Sequence, residues 1–200
     1  MRIGASDKNG WWSVFFTIKN AAPKHIDQQA KAIINTNKKN KHVSLHTLKH
    51  VQLLPLPLEQ AWDFFSSPLN LNKITPPEMN FVIRSAFSPE DRVYAGMLIH
   101  YNVSPLLHIP LSWTTEITAV EHHRYFIDEQ RHGPFAFWHH QHFFERVPGG
   151  VKMTDIVSWK VPGWFLGDIV NWLLVNKRVK CIFSYRKQKL TTLFGTMGGE

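Results

Sequence analysis

Two alternating runs, Phe135 to Arg146 and Val151 to Val161, flank the tripeptide Pro148-Gly149-Gly150. Alternation over this length is the period of a β-strand, and the glycines supply the positive φ angles of a tight connection, so the segment reads as a β-hairpin. Side chains two residues apart share a face. Trp138, His140, His142 and Phe144 then line one face of the first strand, and Met153, Asp155, Val157 and Trp159 one face of the second. Pairing of Val147 with Gly150 sets His142 opposite Asp155 and Trp138 opposite Trp159, and a slip of one residue would separate them.

Proline and glycine punctuate the rest of the chain. His46 to Leu54 alternates as a strand and stops at Pro55 and Pro57. Leu58, Ala61, Trp62 and Phe65 recur at helical spacing, and a second short helix is predicted near Leu69 to Ile74. Strands follow at Asn80 to Phe87, Met97 to Val103, Leu111 to Ala119 and Arg124 to Arg131, which with the first strand and the hairpin make seven. After Pro162-Gly163 the period changes. Ile169, Trp172, Val175, Val179, Ile182, Phe183, Leu190 and Leu193 recur in steps of three and four, the pattern of one long amphipathic helix ended by Gly195. Its later half carries Lys177, Arg178, Lys180, Arg186, Lys187 and Lys189, which suit the negative end of the helix dipole. A basic amphipathic helix can also lie on a membrane. A seven-stranded antiparallel sheet, however, needs a cover for its apolar face, and this helix supplies one.

The 200 residues suffice for one domain with an ample core, and 8 Trp with 14 Phe call for either a thick core or an internal cavity to line. The formal charge of +8 would invite a nucleic-acid partner, but residues 1–42 hold eight Lys and Arg against two Asp. The remainder carries 15 basic and 13 acidic residues, too even a balance for a phosphate-binding surface. Residues 1–43 read as a mobile N-terminal arm, with a start codon downstream of Met1 as the alternative, residues 44–195 as the domain and 196–200 as a tail. The apolar run Trp11 to Ile18 has the flanks of a secretory signal, but its eight residues are near the lower limit for one and far below the ~20 that span a bilayer. No membrane insertion is expected. The single Cys181 excludes an intramolecular disulfide and agrees with a cytoplasmic location.

Five stretches carry a family resemblance: Asn70-Leu71-Asn72-Lys73-Ile74-Thr75-Pro76-Pro77; Phe126-Ile127-Asp128-Glu129-Gln130 leading to Gly133-Pro134-Phe135; Trp138-His139-His140-Gln141-His142-Phe143-Phe144; Met153-Thr154-Asp155; and Phe183-Ser184-Tyr185-Arg186. Over about Leu45 to Phe194 the sequence resembles the SRPBCC superfamily of START lipid-transfer domains, birch-pollen-allergen-like proteins and polyketide cyclases. Within it the sequence is most similar to the bacterial stand-alone ligand-binding branch, also found fused to epimerase-like proteins labelled as cell-division inhibitors. The resemblance implies an α+β helix-grip fold, a curved seven-stranded antiparallel sheet wrapped around its last helix. It also implies a hydrophobic cavity between sheet and helix for a lipid, polyketide, sterol-like or aromatic molecule. It implies no cofactor and no catalyst, although a cyclase or dehydratase is the alternative.

The residues expected to meet that ligand are polar Tyr101, Asp128, Gln130, His140, His142 and Asp155, with Trp113, Phe135, Trp138, Trp159 and Trp172 as walls. His140 and His142 share a face at a spacing that can chelate zinc or copper. No third ligand has a recognisable partner spacing, so no metal is expected, and Asp155 reads as the acceptor that fixes one histidine tautomer. Two roles stay open for these groups. They are either a buried histidine–aspartate pair satisfying each other's polarity, or an acid–base group oriented by Asp155 with Tyr101 or Asp128 as a second proton carrier. Asp128 and Glu129, being adjacent on a strand, point to opposite faces and cannot act as a pair.

Overall fold

The strands form where the chain alternates, and their turns fix the order. In the computed structural model, which describes residues 44–105 and 109–197, β1 (His46–Leu54), β2 (Val82–Ile83), β3 (Leu98–Val103), β4 (Leu111–Glu121), β5 (Tyr125–His132), β6 (Phe137–Val147) and β7 (Gly150–Lys160) build one antiparallel sheet. Its order is β1-β7-β6-β5-β4-β3-β2, so the first strand returns to pair with the last. The N-terminal arm and the extreme C-terminal residues of the sequence reading lie outside the described residues.

The central hairpin has the register that its turn dictates. Gly149 takes φ +81°, Val147 pairs with Gly150, and the ladder sets His142 opposite Asp155 and Trp138 opposite Trp159. Gly150 is required for a different reason. A Cβ at this position would lie 2.0 Å from the Leu54 carbonyl oxygen, so β1 can close against the hairpin only because there is no side chain.

The strand expected over Asn80 to Phe87 is two residues long. The amides of Arg84 and Ser85 both turn to the same carbonyl, that of His100, while the His100 amide donates to Ser85 Oγ at 2.9 Å. A side chain has taken the place of the next ladder bond, and the strand ends there.

α1 (Leu58–Phe65) buries Leu58, Ala61, Trp62 and Phe65, the stripe that its spacing predicted. The Trp62 ring meets Phe126 and Phe144 edge-on, which adds roughly 0.5–1.5 kcal/mol per pair to the gain from burial. Two 3-10 turns, Pro68–Ile74 and Pro77–Met79, lead on to the sheet. After Gly163, α2 (Trp164–Val170), a π-helical turn (Asn171–Val175) and α3 (Asn176–Phe194) run on without a break to Gly195.

The π turn overturns one expectation. Trp172 was placed on the sheet-facing stripe but is 75% exposed, and Ile169 is 49% exposed. Each π residue advances the helix by roughly 80° rather than about 100°. Three steps back from buried Val175 therefore carry Trp172 off the sheet, whereas four bring Asn171 over it. Asn171, 2% exposed, accepts a 2.7 Å hydrogen bond from Trp159 Nε1. Among the described residues the core forms three clusters: Leu54, Trp62, Phe144, Met153 and Leu190 in one, Val157, Trp159, Val175, Val179 and Phe183 in a second, and Met79, Val103 and Trp113 in a third.

Candidate functional site

Between the inner face of the sheet and α3 lies a cavity of about 180 Å³. Its walls are mostly apolar: Phe64, Leu71 and Ile74 at one side, Ile99, Val103 and Ile117 from the sheet, and Val179, Ile182 and Phe183 from the helix. Of the residues predicted to meet a ligand, Tyr101, Trp113, Asp128, Trp138, His140 and His142 line it.

The others are placed differently. Asp155 stands behind the histidines, 2% exposed. Trp159 is buried beneath the helix and occupied by Asn171. Gln130 is a turn clamp: its Nε2 donates to the Phe135 carbonyl at 2.7 Å, and the Phe135 amide donates back to Oε1 at 3.2 Å. Phe135 supports the wall from outside, packing against Trp113 and Trp138 with centroids 5.5 and 4.9 Å apart. Trp172 plays no part in the cavity. His139 faces the opposite side of the sheet, 2.9 Å from Glu129, as strand alternation requires.

At the polar wall the two histidines of β6 stand between two aspartates. Asp128, directly across from His140 in the β5–β6 ladder, puts Oδ2 2.9 Å from His142 Nε2 and 3.6 Å from His140 Nδ1. Asp155, from β7, puts Oδ1 3.1 Å from His140 Nε2 and 2.8 Å from His142 Nδ1. The last contact is close but off the hydrogen-bonding direction. Phe126 stacks on the His142 ring at 4.2 Å and Phe183 meets His140 edge-on at 5.7 Å, so aromatic rings bound the cluster on both sides.

Burial alone would raise both carboxyls, yet the hydrogen bonds from the histidines outweigh it and hold Asp155 far below, and Asp128 below, the usual carboxylate range. The histidines diverge. Burial and the neighbouring His142 push His140 down, whereas the hydrogen bond of His142 to Asp128 and its close approach to Asp155 overcome its burial and raise it. The neutral form is thus favoured at His140 and the charged form at His142, and the two tilted rings lie against each other between the carboxylates. With Nε2–H of His140 directed to Asp155, its Nδ1 carries a lone pair on the cavity side.

Sequence reasoning missed the helix contribution. Arg186 lines the cavity beside Phe183, its guanidinium carbon 5.3 Å from that ring, and its Nε is a buried donor with no partner among the described residues. Trp113 Nε1 is another such donor in the same lining. The signal was present in the sequence, since Arg186 is three positions beyond Phe183 on the stripe, but the residue was assigned to the helix dipole with its basic neighbours. Tyr101 hydrogen-bonds Thr115 Oγ1 at 3.0 Å, and burial raises its phenol well above the ordinary value.

No family model and no curated protein matches the chain. Several solved structures do. Protein Ms6760 from Mycobacterium smegmatis superposes with a TM-score of 0.55 at 15% identity, covering 76% of this chain and 96% of that one. Protein CV1439 from Chromobacterium violaceum gives 0.55 at 14% identity, covering 76% and 99%. A protein from Arthrobacter aurescens gives 0.56 at 12% identity, covering 75% and 92%. With the sheet order and the long final helix, these matches decide the architecture. The fold is the α+β helix-grip fold. Identities this low carry the fold and nothing of the chemistry. The helix-grip arrangement accounts for where the site lies, since the cavity is lined by residues of both the sheet and the long helix. No described helix is long and apolar enough to cross a membrane.

Proposed function

We propose that this protein binds a compact apolar molecule bearing one acidic or carbonyl oxygen, as a carrier or sensor within the SRPBCC superfamily. The observation that carries this reading is the mostly apolar cavity itself, whose lining adds the Arg186 and Trp113 side chains to the histidine–aspartate wall. The cationic guanidinium of Arg186 at that wall favours a ligand that carries an acidic or carbonyl oxygen there. Size narrows the ligand. A dry cavity of about 150 Å³ is known to hold benzene, so about 180 Å³ suits one or two fused rings rather than a sterol or a long acyl chain. Aromatic walls at Trp113, Trp138 and Phe183 fit the same class.

The test is titration of metal-free protein with 2-naphthoate, followed by tryptophan fluorescence and calorimetry. Saturable binding to one site is expected, weakened about tenfold or more in Arg186→Gln through loss of a charged hydrogen bond. Absence of saturation, or indifference to both Arg186→Gln and Trp138→Ala, would overturn the reading.

A second reading, acid–base catalysis of the cyclase or dehydratase kind, is favoured by the divergence of His140 and His142. Two adjacent groups pushed in opposite directions offer a base and an acid at one pH. Under this reading a bound aromatic ketone exchanges its α-protons with solvent deuterium, and His140→Ala abolishes the exchange. Recovery of the ketone unlabelled removes the catalytic role.

A further inference from the structure

The polar wall brings three side chains able to ligate a metal within 4.8 Å of one another, with a further carboxylate behind them. We infer that Asp128, His140 and His142 bind one divalent transition-metal ion through Oδ2, Nδ1 and Nε2, with the remaining coordination positions open to the cavity. One ligand atom from each of the three residues lies within 4.8 Å of the other two. Donors about 2.0–2.2 Å from a common ion stand roughly 3.0–3.5 Å apart in tetrahedral or octahedral geometry. Asp128 Oδ2 is already 2.9 Å from His142 Nε2 and 3.6 Å from His140 Nδ1, and the two nitrogens lie within 4.8 Å of each other, so side-chain rotations of about an ångström close the set. The missing third ligand of the sequence reading is thus Asp128, brought in by the β5–β6 register rather than by any spacing along the chain.

The second observation is Asp155. A metal-bound histidine is held in place by a carboxylate or carbonyl that accepts the proton on its other ring nitrogen. Here Asp155 Oδ1 stands in hydrogen-bonding geometry 3.1 Å from His140 Nε2, and lies 2.8 Å from His142 Nδ1, where a turn of the His142 ring onto the ion would align the second bond. A simple histidine–aspartate pair needs one carboxylate. This cluster has a second one on the cavity side, where a cation would sit. The donors stand on adjacent central strands, which fixes their spacing more firmly than loops would. Two imidazole nitrogens and one carboxylate oxygen suit zinc, iron(II), cobalt(II) or nickel(II), and disfavour calcium and magnesium, which take oxygen donors. An ion placed here faces the cavity that Arg186 and Trp113 share, so the acidic oxygen of a ligand can complete its coordination. Placing the ion uses the His140 Nδ1 lone pair, so the metal role and the free-base role of His140 exclude each other.

The test uses the metal alone and so is separate from ligand binding. The full chain, stripped with EDTA, is titrated with Co²⁺. One equivalent is expected to bind with visible d–d bands, to be displaced by Zn²⁺, and to produce two hyperfine-shifted N–H proton signals slow to exchange with D₂O, from His140 Nε2 and His142 Nδ1. Asp155→Asn should weaken binding about 10- to 100-fold with the stoichiometry kept, and Asp128→Asn should weaken it at least as much. The surface pair His122 and His123, with rings 3.8 Å apart, is the adventitious competitor, and its double alanine variant should bind as the wild type does. Absence of the bands at millimolar Co²⁺ overturns the inference, as does their loss in the His122/His123 variant. If Asp128→Asn does not fold, the wild-type spectrum still decides, because a surface site gives no exchange-protected pair.

Discussion

The imidazole rings of His140 and His142 lie 3.8 Å apart at a tilt of 42°, with a carboxylate touching both rings at each edge of the pair. Strand geometry alone brings residues i and i+2 onto one face. The carboxylates hold the two tilted rings against each other. The two aspartates are not equivalent, since the Asp155 side chain is 4% exposed and that of Asp128 14%.

Replacing Asp155 by Asn should therefore cost more than replacing Asp128. Loss of the deeper partner removes a buried charged acceptor that touches both rings, a change worth about 2–3 kcal/mol. Asp128→Asn, at the cavity wall, should cost about 1–3 kcal/mol. Urea denaturation of metal-free protein measures both, and equal costs would show that the two carboxylates are equally solvated.

Acid should unfold the metal-free protein through the same groups. Both aspartates are depressed below the ordinary value of 3.8, so the stability they contribute is fully present above that value. It is lost as pH falls from there toward their folded values, because the unfolded chain binds the protons first. Melting temperature followed between pH 5 and about pH 2 should fall steeply in the wild type and less steeply in Asp155→Asn. Parallel curves would mean that Asp155 is not the group responsible.

The hairpin was legible in the sequence because its information is local. Pro148-Gly149-Gly150 determines the turn, the turn determines the register, and the register delivers His142 to Asp155. Asp128 could be named as a cavity residue from its strand pattern, but not as a partner of His142. Its pairing depends on the β5–β6 connection, where the Gln130 clamp on Phe135 sets the offset, and on β4–β5 pairing that shifts register at Thr114/Thr115 and Ile117/Ala119. Bulges of this kind leave no period to count. Trp172 was misplaced because a helical wheel assumes about 100° per residue throughout.

Gly150→Ala should destabilise the fold although the backbone at this position is ordinary. The new Cβ would meet the Leu54 carbonyl oxygen at 2.0 Å, and backbone cannot swing aside as a side chain can, so β1 must separate from β7 at that end. A cost of about 1–3 kcal/mol is expected, read as a lower melting temperature with faster amide exchange at Leu53 and Leu54. Gly149→Ala, strained through φ and meeting only the flexible end of Met197 at 3.1 Å, should leave that exchange unchanged.

Measured against a plain α-helix, the Asn171–Val175 turn holds one surplus residue. In genetic terms the difference is a single codon. Its loss would slide Asn171 away from Trp159, leaving a buried indole N–H without an acceptor. The codon and the tryptophan are thereby tied together in inheritance. A lineage that drops the surplus residue is expected to replace Trp159 as well, and an aligned gap of one at this turn should coincide with the missing tryptophan on β7.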